Sequence, residues 1–154
     1  MKKFLYLLLL LPLAFAATSC DDDDDKVPDV DITATVTNGY VDGNTIYVVQ
    51  GETLGMEISM VNHTNKDGQI GAVSMQIDYY PYARAIVAPY KFDINTATMP
   101  VGRHLLQAEM PVFVVDYPIC YGYFDCIICV VASKDDIPAG LIPQPINGLV
   151  KVKD

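Results

Sequence analysis

Four cysteines and two histidines are the side chains of this sequence best suited to covalent or metal chemistry, and their spacing restricts what they can do. Cys126-Ile127-Ile128-Cys129 has the spelling of a redox or zinc pair. Redox pairs of that spelling open a helix, whereas Phe124 to Ala132 is a near-continuous apolar run with strand character. Residues three apart on a strand point to opposite faces, so these two thiols are not placed to chelate one ion or to pair with each other. Cys120 precedes them across an expected hairpin, and in an oxidising compartment a Cys120–Cys126 bridge is the disulfide this arrangement suggests. Buried thiols acting as small apolar core residues are the alternative. His63 and His104 show no His-x-His or His-Glu-x-x-His spacing, so no metal site is expected. No serine lies in a Gly-x-Ser-x-Gly elbow. No carboxylate pair suited to glycoside hydrolysis stands out among Glu52, Glu57, Glu109 and the scattered aspartates. These residues point away from an enzyme, and no cofactor is expected.

Cys20 is set apart by what precedes it. Met1-Lys2-Lys3 is a short basic start, and Phe4 to Ala17 is apolar except for Pro12. Ala16, Ala17, Thr18 and Ser19 are small and lead directly to Cys20. This is the layout of a secretory signal. The run falls short of the roughly 20 apolar residues a spanning helix needs. Ala17-Thr18-Ser19-Cys20 resembles the lipobox of bacterial lipoproteins, with Ala17 where that pattern usually has Leu, a looser form found in Bacteroides-type lipoproteins. The resemblance implies removal of residues 1–19, lipidation of the Cys20 sulfur and acylation of its amine. Two or more acyl chains, at about 0.8 kcal/mol per buried methylene, hold a protein on a membrane stably.

Loss of Lys2 and Lys3 takes the formal charge from −9 to −11 over the remaining 135 of 154 residues. Such an acidic chain repels phosphate backbones, so nucleic acid is not an expected partner. Five of the charges are Asp21 to Asp25, a self-repelling and hence extended spacer. An acidic run behind a lipid cysteine resembles the surface-export signal of Bacteroidetes lipoproteins. It implies placement on the outer membrane, facing outward.

The elements that must position the remaining side chains read as strands. Ile32, Ala34 and Val36 alternate with threonines, and Ile46 to Val49 forms a short apolar run. Met56, Ile58 and Met60 alternate with polar residues, as do Val73 to Tyr79 and Tyr90 to Ile94. A long strand is expected over Leu105 to Val115 and a centrally paired or doubly buried one over Phe124 to Ala132. Asn38-Gly39, Asp42-Gly43-Asn44 and Asn65-Lys66-Asp67-Gly68 are turn signals. About seven short strands without a sustained helical period predict an all-β antiparallel sandwich. The chain divides into a signal (1–19), the lipidated cysteine with an acidic linker (20–29), the sandwich (30–132) and a proline-rich extended tail (133–154), with a short strand expected at Leu149 to Val152.

Pro89-Tyr90-Lys91-Phe92-Asp93-Ile94-Asn95-Thr96 followed by Pro100-Val101-Gly102-Arg103-His104-Leu105-Leu106 resembles the second half of bacterial immunoglobulin-like domains. The resemblance implies an immunoglobulin-like fold and a structural role for His104. It says little about activity, because the sandwich is a scaffold for many functions. Neither a core Trp nor a cysteine near Met56 to Met60 is present, so the inter-sheet disulfide of antibody domains is not expected.

The tyrosines are the remaining suggestive feature. Tyr79, Tyr80, Tyr82 and Tyr90 form one cluster; Tyr117, Tyr121, Tyr123 and Phe124 form another. Standard sandwich geometry puts the two at opposite ends. Loop tyrosines make rigid amphipathic contact surfaces, although tyrosine also favours strands for packing. Pro118 and Gly122 read as loop markers, so Tyr117, Tyr121 and Tyr123 are the candidate binding surface. The functional expectation is a lipid-anchored, non-enzymatic envelope protein that binds a protein or glycan or builds a surface complex. A glycan-binding accessory protein of a polysaccharide-uptake system and a pilin-like structural subunit are the alternatives.

Overall fold

The computed structural model describes residues 27–144. The expected signal, Cys20, the Asp21 to Asp25 run and the strand expected at Leu149 to Val152 lie outside the described residues. The strands are β1 (Val30–Thr37), β2 (Gly39–Asp42), β3 (Thr45–Val49), β4 (Thr53–Asn62), β5 (Gly68–Ile70), β6 (Val73–Ile77), β7 (Tyr80–Ala85), β8 (Tyr90–Asn95), β9 (Gly102–Val114), β10 (Cys120–Val131) and β11 (Pro143–Gln144), with a 3₁₀ turn at Lys134–Asp136 before β11.

They form two sheets. One has the order β1-β4-β8; the other has the order β11-β2-β3-β10-β9-β6-β7, with β5 continuing the β6 position along β9. The seven expected strands are all present, and the fold is an immunoglobulin-like β-sandwich. One pairing departs from the antiparallel expectation: β3 runs parallel to β10, from Thr45↔Ile127 to Val49↔Val131. Parallel partners need a long crossover, and here nearly the whole domain lies between them. Period-two patterning carries no information about so distant a partner.

Alternation explains the core. Ala34 and Val36 on β1, Leu54, Met56 and Ile58 on β4, and Phe92 and Ile94 on β8 point inward from the first sheet. Leu106, Ala108, Met110 and Val112 on β9 meet them with Phe124, Cys126, Ile128 and Val130 on β10. Each large apolar side chain buried in this way contributes about 1.5–3 kcal/mol. β10 is centrally paired between β9 and β3 but buried on one face only, since Tyr121, Tyr123 and Asp125 are exposed.

The two ends of the sandwich are distinct. The N-terminal end holds the start of β1 (Val30↔Asn62), β5 (Gly68↔Val114) and the β9–β10 turn before Cys120. The far end holds the close of β1 (Thr37↔Gly55), the β6–β7 turn beside Leu106 and the close of β10 beside β3.

Two sequence expectations are corrected. The β9–β10 turn closes before Cys120, so Tyr121, Gly122 and Tyr123 are strand residues and no loop spans Tyr117 to Tyr123. Gly122 is small because β10 passes close under β1: a Cβ there would stand 2.9 Å from Ile32 Cγ1 and 3.2 Å from Val112 Cγ2. The Cys120–Cys126 bridge does not form, and Cys120, Cys126 and Cys129 are free thiols. All three lie on β10, and six residues of strand separate the first two by about 20 Å, far beyond disulfide reach.

Candidate functional site

β10 decides where the tyrosines go. Its even-numbered residues face the core, so Tyr121, Tyr123 and Asp125 project from the outer face of the larger sheet. Residues two apart on a strand stand about 7 Å from each other, so the two exposed rings form a stripe. Register supplies their neighbours: Tyr121 lies opposite Pro111, Tyr123 opposite Glu109 and Asp125 opposite Gln107. β6 continues the rows with Ser74 beside Glu109 and Gln76 beside Gln107, and β7 adds Arg84 beside Ser74. A shallow groove of about 150 Å³ runs between Ser74, Gln76, Gln107, Glu109, Tyr123 and Asp125. Aromatic faces beside amide, carboxylate and hydroxyl groups offer stacking together with directed hydrogen bonds.

Tyr117 does not join this stripe. It sits in the β9–β10 turn, where its N–H donates to the Val114 carbonyl at 3.1 Å, and its ring packs against the core. It lines a different feature, an apolar cleft of about 380 Å³ with Phe113, Val115 and Ile119 beside Asp67 and Gln69. The candidate trio thus divides between the outer sheet face and the N-terminal end.

The other tyrosine cluster is split as well. The Tyr82 hydroxyl donates to the Asp93 carbonyl (3.1 Å) and accepts the Asn95 N–H (3.0 Å), covering part of the open edge of β8. Tyr90 donates to the Ile70 carbonyl at 2.7 Å and ties the two sheets together. Tyr79 and Tyr80 remain exposed at the far end. There a two-residue hairpin turn places Asp78 and Tyr79 at φ 51° and 68°, the left-handed geometry such turns require.

His104 holds that turn in place. Its Nδ1 lies 2.6 Å from Asp78 Oδ2 and its Nε2 lies 2.8 Å from the Pro100 carbonyl, while Asp78 Oδ1 accepts the Leu105 N–H at 2.9 Å. A carboxylate and a carbonyl only accept, so both ring nitrogens donate and the ring is an imidazolium. Burial works to lower its pKa, but the Asp78 bond, the Pro100 bond and the Asp78 charge outweigh it and leave the pKa raised. The bond from His104 is the largest influence holding Asp78 below its ordinary value, against the opposing effect of burial. The role is structural, joining the β6–β7 turn to the loop before β9. His63 bonds Asp31 at 2.9 Å near the N-terminal end, so the two histidines lie at opposite ends. Among the described residues no group of three or more His, Cys, Asp or Glu is placed to hold a metal ion. Burial pushes the Cys126 thiol up to about 12, where it has no nucleophilic character near neutral pH.

Sequence reasoning missed Thr96, which is fully buried. Its hydroxyl donates to the Glu52 carbonyl (2.6 Å) and accepts the Gly51 N–H (3.0 Å), pinning the β3–β4 turn to the end of β8. A threonine after a strand carries no signal for such a partner more than forty residues away.

No protein-family model matches the chain, and no curated protein matches it. Among solved structures it is similar to the fibronectin(III)-like modules of Clostridium thermocellum CbhA, at 16% identity over 63% of this chain and 94% of that one, with a TM-score of 0.38.

Proposed function

We propose that the chain is a lipid-anchored, non-enzymatic protein of the bacterial cell envelope that binds a partner through the outer face of its larger sheet. The observation that carries the binding role is the exposed Tyr121–Tyr123 stripe beside Glu109, Gln107 and Asp125. Large rings left in water along a sheet face, with polar groups in register, make the kind of amphipathic surface that recognition uses. Cys20 and the Asp21 to Asp25 run support a lipid anchor in the outer membrane and display on the cell surface.

The test is enrichment of partners from cell envelopes by the mature chain and by a Tyr121→Ala/Tyr123→Ala variant. Loss of the partner with an unchanged melting temperature supports the assignment. A variant that retains the same partner at equal yield overturns it. Anchoring is tested separately: a clickable palmitate analogue labels the parent, and Cys20→Ser abolishes the label. Protease shaving of intact cells then reads the surface placement, and full protection on intact cells would remove it from the proposal.

A glycan is the partner that the mixed stacking and hydrogen-bonding character of the groove favours, as in an accessory protein of a polysaccharide-uptake system. A glycan array that stays blank for the parent sinks this narrower reading while leaving a protein partner in place. The pilin-like alternative requires a first strand that leaves. β1 is registered with β4 along all eight residues and buries Ala34 and Val36 in the core, which favours an integral strand.

A further inference from the structure

We propose that the N-terminal end of the sandwich rests on the lipid bilayer, with the β9–β10 turn dipping its apolar side chains into the headgroup boundary. The proposal rests on the lipid anchor at Cys20 proposed above and adds an orientation to it.

Three segments make up this end, and hydrogen bonds and an ion pair tie them together. The His63 N–H donates to the Asp29 carbonyl, so the incoming chain is fixed to the β4–β5 loop. The Val115 N–H donates to the Asp67 carbonyl, and Lys66 pairs with Asp116, so that loop is fixed to the β9–β10 turn. The turn is apolar where turns are ordinarily polar. Val115 and Ile119 are 55% and 66% exposed, and Phe113 is exposed beside them. Val27, at the point where the described chain begins, is exposed as well.

The chain outside the structure identifies the occupant. Six residues lie between Cys20 and Val27, a reach of at most about 25 Å. The anchored cysteine therefore leaves this end, and not the far end, next to the membrane. A tether of that length holds the turn at a local concentration on the order of millimolar. A few apolar side chains, each too weak to bind a membrane alone, then suffice for docking. Lys66 is paired with Asp116 at this end, and His63 is hydrogen-bonded to Asp31. Asp29 and Asp67 add negative charge, which matches a zwitterionic surface better than an anionic one. In this orientation the far end, with Tyr79 and Tyr80, points away from the membrane.

The chain contains no tryptophan, so a single introduced indole reports its own surroundings. Lipidated protein carrying Val115→Trp or Ile119→Trp is reconstituted into phosphatidylcholine vesicles, and Val101→Trp at the far end serves as the control. All three positions are exposed, so the substitutions leave the core intact. With the turn about 5–10 Å into the headgroup boundary, Val115→Trp and Ile119→Trp emission shifts to the blue and falls about twofold when dibrominated lipid replaces the parent lipid. The control does neither. Protein that floats with the vesicles but shows no quenching at either turn position, or equal quenching in the control, overturns the docking and leaves the anchor standing. Protein from lipoprotein-processing cells that does not float overturns the anchor and the docking together.

Discussion

His104 carries a clear pH dependence among the described residues. Its folded pKa is raised above the ordinary 6.5. Its contribution is therefore complete below that value and is lost as pH rises through the folded value. Asp78 is the mirror case. Its pKa is lowered from 3.8, so its contribution is present above that value and is lost as pH falls through the folded one. Together they support the far end across the interval between the two. We expect His104→Ala to cost about 1.5–3 kcal/mol in urea unfolding near pH 5.5 and measurably less near pH 9, as two hydrogen bonds donated by an ionised ring are removed. A parent–variant gap of equal size at both pH values would sink the imidazolium assignment. Thr96→Val, which keeps the shape and deletes the hydroxyl, leaves the Gly51 N–H without its acceptor and should cost about 1–3 kcal/mol by the same measurement at any pH. The thiols give a chemical readout. The absence of a bridge predicts an unchanged mass after reduction and alkylation of all three thiols in denaturant without reductant. In the native protein Cys126 should be alkylated slowest, because its pKa of about 12 leaves almost no thiolate; rapid native labelling of Cys126 would contradict its burial.

At the scale of elements, glycines record where chain segments pass close together. Gly39 opens β2 at the point where three core side chains converge. A Cβ there would stand 2.7 Å from Leu54 Cδ1, 2.8 Å from Ile46 Cγ2 and 3.0 Å from Val36 Cγ1. Gly39→Ala should therefore destabilise by about 1–3 kcal/mol through overpacking, read as a lower urea midpoint with an unchanged slope. A neutral effect would mean that β2 is free to move outward. Gly122, where β10 passes close under β1, shows what the sequence could convey. Alternation in β1, β4, β8 and β9 was legible because each buries one face, and a period of two is a local property. Gly122 reads as a loop marker, because a glycine required by close approach has the same letter as one required by a turn. A loop at Gly122 would start β10 past Cys120, take Tyr121 and Tyr123 off the strand and set Cys120 across a hairpin from Cys126, whereas β10 begins at Cys120. Tyr121 and Tyr123 therefore stand on β10 and not on a loop, while Tyr117 lies apart from them in the β9–β10 turn. Which polar groups flank the Tyr121–Tyr123 stripe depends on the β9 and β6 registers, and those pairings are not encoded locally.

The limits of the folding unit belong to the whole molecule. The core strands run from Val30 to Val131. Beyond them, among the described residues, β11 pairs with β2 at two positions, Pro143↔Tyr40 and Gln144↔Gly39. Cross-strand pairs are worth about 0.2–1 kcal/mol each, so ending the chain after Ala132 should lower stability by no more than about 1–2 kcal/mol and preserve a cooperative melt. Removing 30–37 is a different operation. It takes one strand from a sheet of three, uncovers Met56 and Ile58 on β4 and leaves the backbone edge of β4 without its partner. A two-stranded remnant does not hold a hydrophobic face on its own, so this variant should show no cooperative transition. The two truncations together separate an integral first strand from an exchangeable one. Suppose instead that the chain lacking 30–37 stays folded and recovers full stability on addition of a peptide of that sequence. The sandwich would then be built to accept its first strand from outside, and the pilin-like alternative would displace the binding module proposed here.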